Sequence, residues 1–121
     1  MNKLITYINL HKGSTFQDLL FSYIDKKNET DSNIYKKANI DRKLFSKIRC
    51  NKNYIPRKNI IIKLCLALEL TEEETELLLK SAGYSLSMSK QDLVISYCIE
   101  NKIYDSNIIN DYLYDTCNTV L

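Results

Sequence analysis

The sequence predicts an all-α fold, a compact bundle of about six or seven short helices with a C-terminal helical extension. Three observations lead there. Only two glycines and one proline punctuate 121 residues, too few for a protein built on hairpins. Apolar residues recur at three- and four-residue spacing through most of the chain. Helix-capping Ser, Thr and Asp stand where one periodic segment gives way to the next. The apolar share of 45% and charged share of 26% are those of an ordinary globule.

Residues 1–14 form an N-terminal arm or short extra element. "KLITYINL" reads equally as a helix, on the spacing of Leu4, Tyr7 and Ile8, or as a short strand. From Thr15 the pattern is helical: Phe16, Leu19, Leu20, Tyr23 and Ile24 share one face, with Thr15 or Ser14 as N-cap. A polar "KKNETD" turn precedes a short helix near 31–38. Asn39 marks the next turn, since Asn tolerates the left-handed conformation. Asp41 can cap a helix with Phe45 and Ile48 inward and Arg42, Lys43, Ser46, Lys47 and Arg49 outward.

After the loop "CNKNYIP", a long helix is expected from Arg57 to Leu70, burying Ile60, Ile61, Leu64, Cys65 and Leu68. Thr71 followed by "EEET" is a capping box with acids at the positive end of the helix dipole; Leu77, Leu78 and Leu79 form its apolar side and Gly83 its terminator. These elements make a 15–84 core. Residues 85–121 form an extension packed on it. Ser89 opens a helix with Leu93, Val94, Tyr97 and Cys98, and Asp105 caps a last one with Ile108, Ile109, Tyr112 and Leu113.

The net charge of +2 conceals a segregation. Residues 36–63 hold ten Lys or Arg against Asp41 alone, whereas residues 64–121 hold ten acids and three bases. A strongly positive face results unless the two lobes neutralise each other in the fold. The four cysteines are widely spaced and His11 is the only histidine, so no zinc-ligand pattern and no metal or other cofactor is expected. Cys65 and Cys98 fit as small core residues. No apolar run reaches the roughly 20 residues of a membrane span, no secretory leader is recognisable, and the expected location is the cytoplasm. A reaction has no evident machinery: there is no nucleophile motif and no phosphate-binding glycine loop, so no catalytic residue is assigned.

Residues 30 to about 83, read as "DSNIYKKA", "NI", "DRKLFSKIR", "NKNYIPRK", "NIIIKLCLALEL" and "TEEETELLLKSAGY", resemble the lambda-repressor-like (XRE-type) helix-turn-helix family in order and spacing. That resemblance implies that the bundle contains a helix-turn-helix and that the 41–50 helix reads duplex DNA in the major groove, as in a small transcriptional regulator. By position it places Arg42, Lys43, Ser46 and Lys47 at base edges, where Arg and Lys suit guanine. It places Arg49, Lys52, Tyr54, Arg57 and Lys58 at phosphates.

The chain departs from the family at four positions. Tyr35 stands where a small residue allows close helix packing, implying a splayed pair, and Asn39 replaces the turn glycine. Asp31 replaces a glutamine near phosphate, where a carboxylate would repel DNA. Leu44 is an unusual apolar residue at the outer start of the second helix. With Tyr104 and Tyr112, Leu44 is assigned to a partner or homodimer surface. The alternative reading is a protein-interaction module on a helix-turn-helix scaffold, a phage- or defence-related adaptor or inhibitor that takes an acidic protein partner without sequence-specific DNA binding; the pattern is also similar to helical modules appended to bacterial effector and defence proteins.

Overall fold

The computed structural model describes residues 2–11, 13 and 15–121. Among them are eight helices and no strand: α1 (Asn2–His11), α2 (Phe16–Lys27), α3 (Asp31–Lys37), α4 (Arg42–Cys50), α5 (Lys58–Ala67), α6 (Glu72–Ser81), α7 (Lys90–Glu100) and α8 (Ser106–Cys117). The count exceeds the expected six or seven because residues 2–11 are helical, resolving the helix-or-strand ambiguity there. Packing passes from neighbour to neighbour: α3 lies on α4 and α5, α5 on α6, α6 on α2 and α7, and α7 on α8.

Local chemistry fixes where most helices begin. The hydroxyls of Thr15, Thr30, Thr71 and Ser89 each accept a backbone N–H two or three residues into α2, α3, α6 and α7, and Asp105 does the same for α8. At Thr71 the box is complete, since the Glu74 carboxylate accepts the Thr71 N–H at 3.0 Å. The N-termini of α4 and α5 differ. Asp41 and Arg57 occupy their N-cap positions with no side-chain cap bond.

Five helix ends follow one device. Asn28, Asn39, Glu69, Gly83 and Lys102 all take positive φ, and the residue after each donates its N–H to a carbonyl five residues back: Glu29 to Ile24, Ile40 to Tyr35, Leu70 to Cys65, Tyr84 to Leu79 and Ile103 to Cys98. This is the Schellman geometry, which satisfies terminal carbonyls and, except at Glu29, turns an apolar or aromatic residue back onto the helix it leaves. Ile40 and Leu70 are buried in this way. The turn at Glu69 is why α5 stops at Ala67, short of the single helix to Leu70 expected from the periodicity.

One cluster of buried side chains runs from α2 to α8, including Phe16, Leu20, Ile34, Phe45, Ile48, Ile61, Leu64, Leu78, Leu79, Ile95, Cys98, Ile109 and Leu113. Burying each of the larger ones contributes about 1.5–3 kcal/mol relative to leaving it in water. Five expected core positions, Leu77, Leu93, Tyr97, Ile108 and Tyr112, lie at the surface instead. Leu77 is 55% exposed, because three consecutive leucines step by about 100° around a helix and cannot share its inner face. Leu93 and Tyr97 of α7 also face solvent. No helix of the described residues is long and apolar enough to cross a membrane.

Candidate nucleic-acid interface

The turn between α3 and α4 is set by three side chains: Ala38 and Ile40 are buried on either side of left-handed Asn39. Tyr35 is accommodated at the α3–α4 junction by tilting against Phe45, ring centroids 5.7 Å apart, with Phe21 meeting the same ring edge-on at 6.1 Å. Phe45 and Ile48 then anchor α4 inward. The helical step consequently aims Arg42, Lys43, Ser46, Lys47, Arg49 and Cys50 outward, and all six are exposed. Leu44 is half-buried against the core rather than free on the outside.

Not every cation on this side is available. The Arg49 guanidinium donates from Nε and a terminal nitrogen to the two oxygens of Asp31, both at 2.7 Å, and lies 4.0 Å over the Phe21 ring. The pair meets the Asp31 carboxylate within the chain and clamps α4 to α2 and α3. Lys58 donates to the buried Asp92 carboxylate at 2.6 Å, which also accepts the Ser87 N–H and hydroxyl at 2.6 and 2.8 Å. Burial alone would push the Asp92 carboxyl up, but these donors outweigh it and leave it below the usual carboxylate range. Lys58 thus fastens α5 to α7.

The other expected contacts sit on the open surface. Arg42, Lys43 and Ser46 on α4, and Lys52 and Arg57 beyond it, are exposed with no ion pair among the described residues. Lys47 Nζ rests 4.3 Å from the centre of the half-buried Tyr54 ring, which holds the cation outward without neutralising it.

The loop carrying Lys52 is held by hydrogen bonds that the periodicity did not reveal. Buried Gln17 donates its amide to the carbonyls of Asn51 and Tyr54, at 3.3 and 2.6 Å. Asn51 accepts the Asn53 N–H on its own side chain, and buried Pro56 accepts the Tyr84 hydroxyl at 3.1 Å. The only sequence sign was an amide beside Phe16 in the first turn of α2.

Electrostatically, this side of the molecule presents five cations without an ion-pair partner among the described residues (Arg42, Lys43, Lys47, Lys52 and Arg57), with exposed Asp41 at the start of α4. It also contains the N-termini of α4 and α5, whose first amides lack side-chain caps. Of the three ion pairs among the described residues, Lys58–Asp92 alone joins the basic segment to the acidic half. The two lobes therefore do not cancel by direct pairing.

The remaining assigned residues lie apart from α4. Tyr104 is half-buried, its hydroxyl donating to the Leu70 carbonyl at 3.0 Å; burial, then Glu69 and Glu74, push that phenol up. Tyr112 meets Tyr97 edge-on across α7 and α8 at 6.4 Å. Cys65 and Cys98 are buried, and burial pushes the Cys65 thiol up to about 12, so it stays protonated and unreactive. No His, Cys, Asp and Glu cluster suited to a metal occurs among the described residues. No protein-family model, curated protein or solved structure was found to match the chain.

Proposed function

We propose that the chain is a DNA-binding protein of the helix-turn-helix type, with α3 and α4 as its two helices and α4 laid in the major groove. The observation that carries this reading is the outward arc of α4, where Arg42, Lys43, Ser46 and Lys47 stand exposed without a carboxylate partner. Base edges fall to these four, with arginine and lysine suited to guanine O6 and N7. Phosphates fall to Lys52, Arg57 and the uncapped amides of α4 and α5, because helix N-termini attract anions. Arg49 and Lys58 have positioning roles in this reading: they hold the surface rather than touch the duplex. A small transcriptional regulator is the corresponding biological role.

The test is a salt-titrated binding assay of the purified chain on genomic fragments flanking its gene. Specific retention of one fragment is expected, with log K falling against log salt at a slope of about −4 to −5 for some five neutralised phosphates. Absence of duplex binding at low salt overturns the proposal.

The exposed Leu93, Tyr97 and Tyr112 favour a second reading, a protein-interaction module for which the basic face serves an acidic protein. Partners captured by the wild type and lost with Tyr112→Ala, alongside no affinity for duplex DNA, would favour it.

A further inference from the structure

The described apolar surface is unevenly distributed. Leu4, Ile5 and Ile8 of α1 are each half exposed, although they form one continuous arc of that helix. At the other end of the chain, α7 and α8 leave a groove of about 540 Å³ between them, lined by Leu93, Val94, Tyr97, Tyr112, Asp115 and Thr116. None of residues 2–10 lines it, so the chain's own α1 is not its occupant in this structure.

The two features match in length, pattern and charge. Ten residues of helix span about 15 Å, close to the lengths of α7 and α8. Leu4 with Ile8 and Ile5 with Ile8 are i, i+4 and i, i+3 pairs, the spacings with which an amphipathic helix sets anchors into a groove. Residues 1–17 carry Lys3 and Lys12 and no acid, whereas α8 carries Asp111 and Asp115 and no base. A single helix in a groove buries less than stable association needs. Two such seats double the buried surface and bring it toward the about 1,200–2,000 Å² typical of specific complexes.

We propose that two copies of the chain exchange α1, each setting Leu4, Ile5 and Ile8 into the Leu93–Tyr97–Tyr112 groove of the other. Reciprocal exchange closes the pair around a two-fold axis and leaves no open end for further growth. It requires nothing of the α4 face and does not depend on the nucleic-acid reading.

Sedimentation of the full chain across the micromolar range, without DNA, tests the exchange. The wild type is expected to form a dimer, and Ile8→Glu and Tyr97→Glu are each expected to weaken it about tenfold or more. Both positions are exposed in the monomer, so circular dichroism should be unchanged. An equimolar mixture of the two variants should associate better than either alone, because a mixed pair retains one intact helix and one intact groove that face each other. A monomeric wild type overturns the proposal, including one whose α7–α8 amides lose protection in Ile8→Glu, since α1 would then fill its own chain's groove. Dimers that survive Tyr97→Glu but not Ile8→Glu also overturn it, by showing α1 against α1.

Discussion

Arg49 grips Asp31 with two parallel hydrogen bonds of 2.7 Å while its guanidinium lies over Phe21, so one side chain of α4 ties together three helices. The ion pair is partly exposed, and exposed pairs contribute at most about 1 kcal/mol, here near the upper end because the geometry is bidentate. Stacking adds about 0.5–1 kcal/mol. Arg49→Ala should therefore cost about 1–2 kcal/mol in urea denaturation, and Arg49→Lys nearly as much, because an ammonium offers neither the fork nor the flat face. In the proposed DNA binding Asp31→Ala should strengthen retention modestly, because it removes a carboxylate and frees the Arg49 cation beside α4, a gain that salt-titrated anisotropy would read.

Asp92 predicts a pH dependence. Its carboxyl titrates below the unfolded value, held down by Lys58 and Ser87 against the opposing effect of burial. A depressed carboxyl contributes stability that is fully present above the unfolded value of about 3.9 and is lost as pH falls through the folded one. Asp92→Asn should destabilise the protein by about 2–3 kcal/mol at pH 7, less than for a wholly buried pair because Lys58 is partly exposed. The gap between the two proteins should narrow as denaturation is repeated from pH 5 toward pH 3. A constant gap would show that the charge of Asp92 is immaterial.

Helix starts were legible in the sequence and helix ends less so. Thr15, Thr71, Ser89 and Asp105 act within three residues of themselves, so their roles follow from local order. The end of α5 does not: left-handed Glu69 is tolerated there because the same turn buries Leu70, a tertiary contribution that overrides the local preference of glutamate. The outward arc of α4 was legible from its period once Phe45 and Ile48 were set inward. The partners of Arg49 and Lys58 were not, because Asp31 and Asp92 lie 18 and 34 residues away and only the fold brings them near. Gln17 is the same case, an amide whose purpose is a loop more than thirty residues on.

Lys102 and Glu69 should be improvable. Both hold φ near +55°, at 57° and 51°, a conformation that costs a residue with a Cβ about 1–2 kcal/mol and glycine nothing. Glycine gives back part of that gain through its freer unfolded chain, about 0.5–1 kcal/mol. Lys102→Gly should thus stabilise the protein by up to about 1 kcal/mol, raising the melting temperature by roughly 3–6 °C. Glu69→Gly should do the same. Neither residue lies on α4, so a change in DNA affinity would signal a link between the two ends of the molecule.

The proposed DNA reading of the α4 face separates cations assigned to base edges from those assigned to phosphate. Arg42→Ala and Lys43→Ala should each lose about 1–3 kcal/mol on the preferred fragment and relax base preference at one position, leaving weak binding to unrelated duplex largely intact. Lys52→Ala and Arg57→Ala should weaken preferred and unrelated duplexes alike, each lowering the salt slope by about one. Asp41→Asn should strengthen both: it removes the acid beside the uncapped start of α4, and with no side-chain cap bond to lose, the folding cost should be small. Lys58 is unsuited to this comparison, because removing it strands Asp92 and confounds affinity with folding. Fluorescence anisotropy on the preferred and a scrambled duplex at several salt concentrations distinguishes the two groups; equal losses from Arg42→Ala on both duplexes would remove α4 from sequence reading.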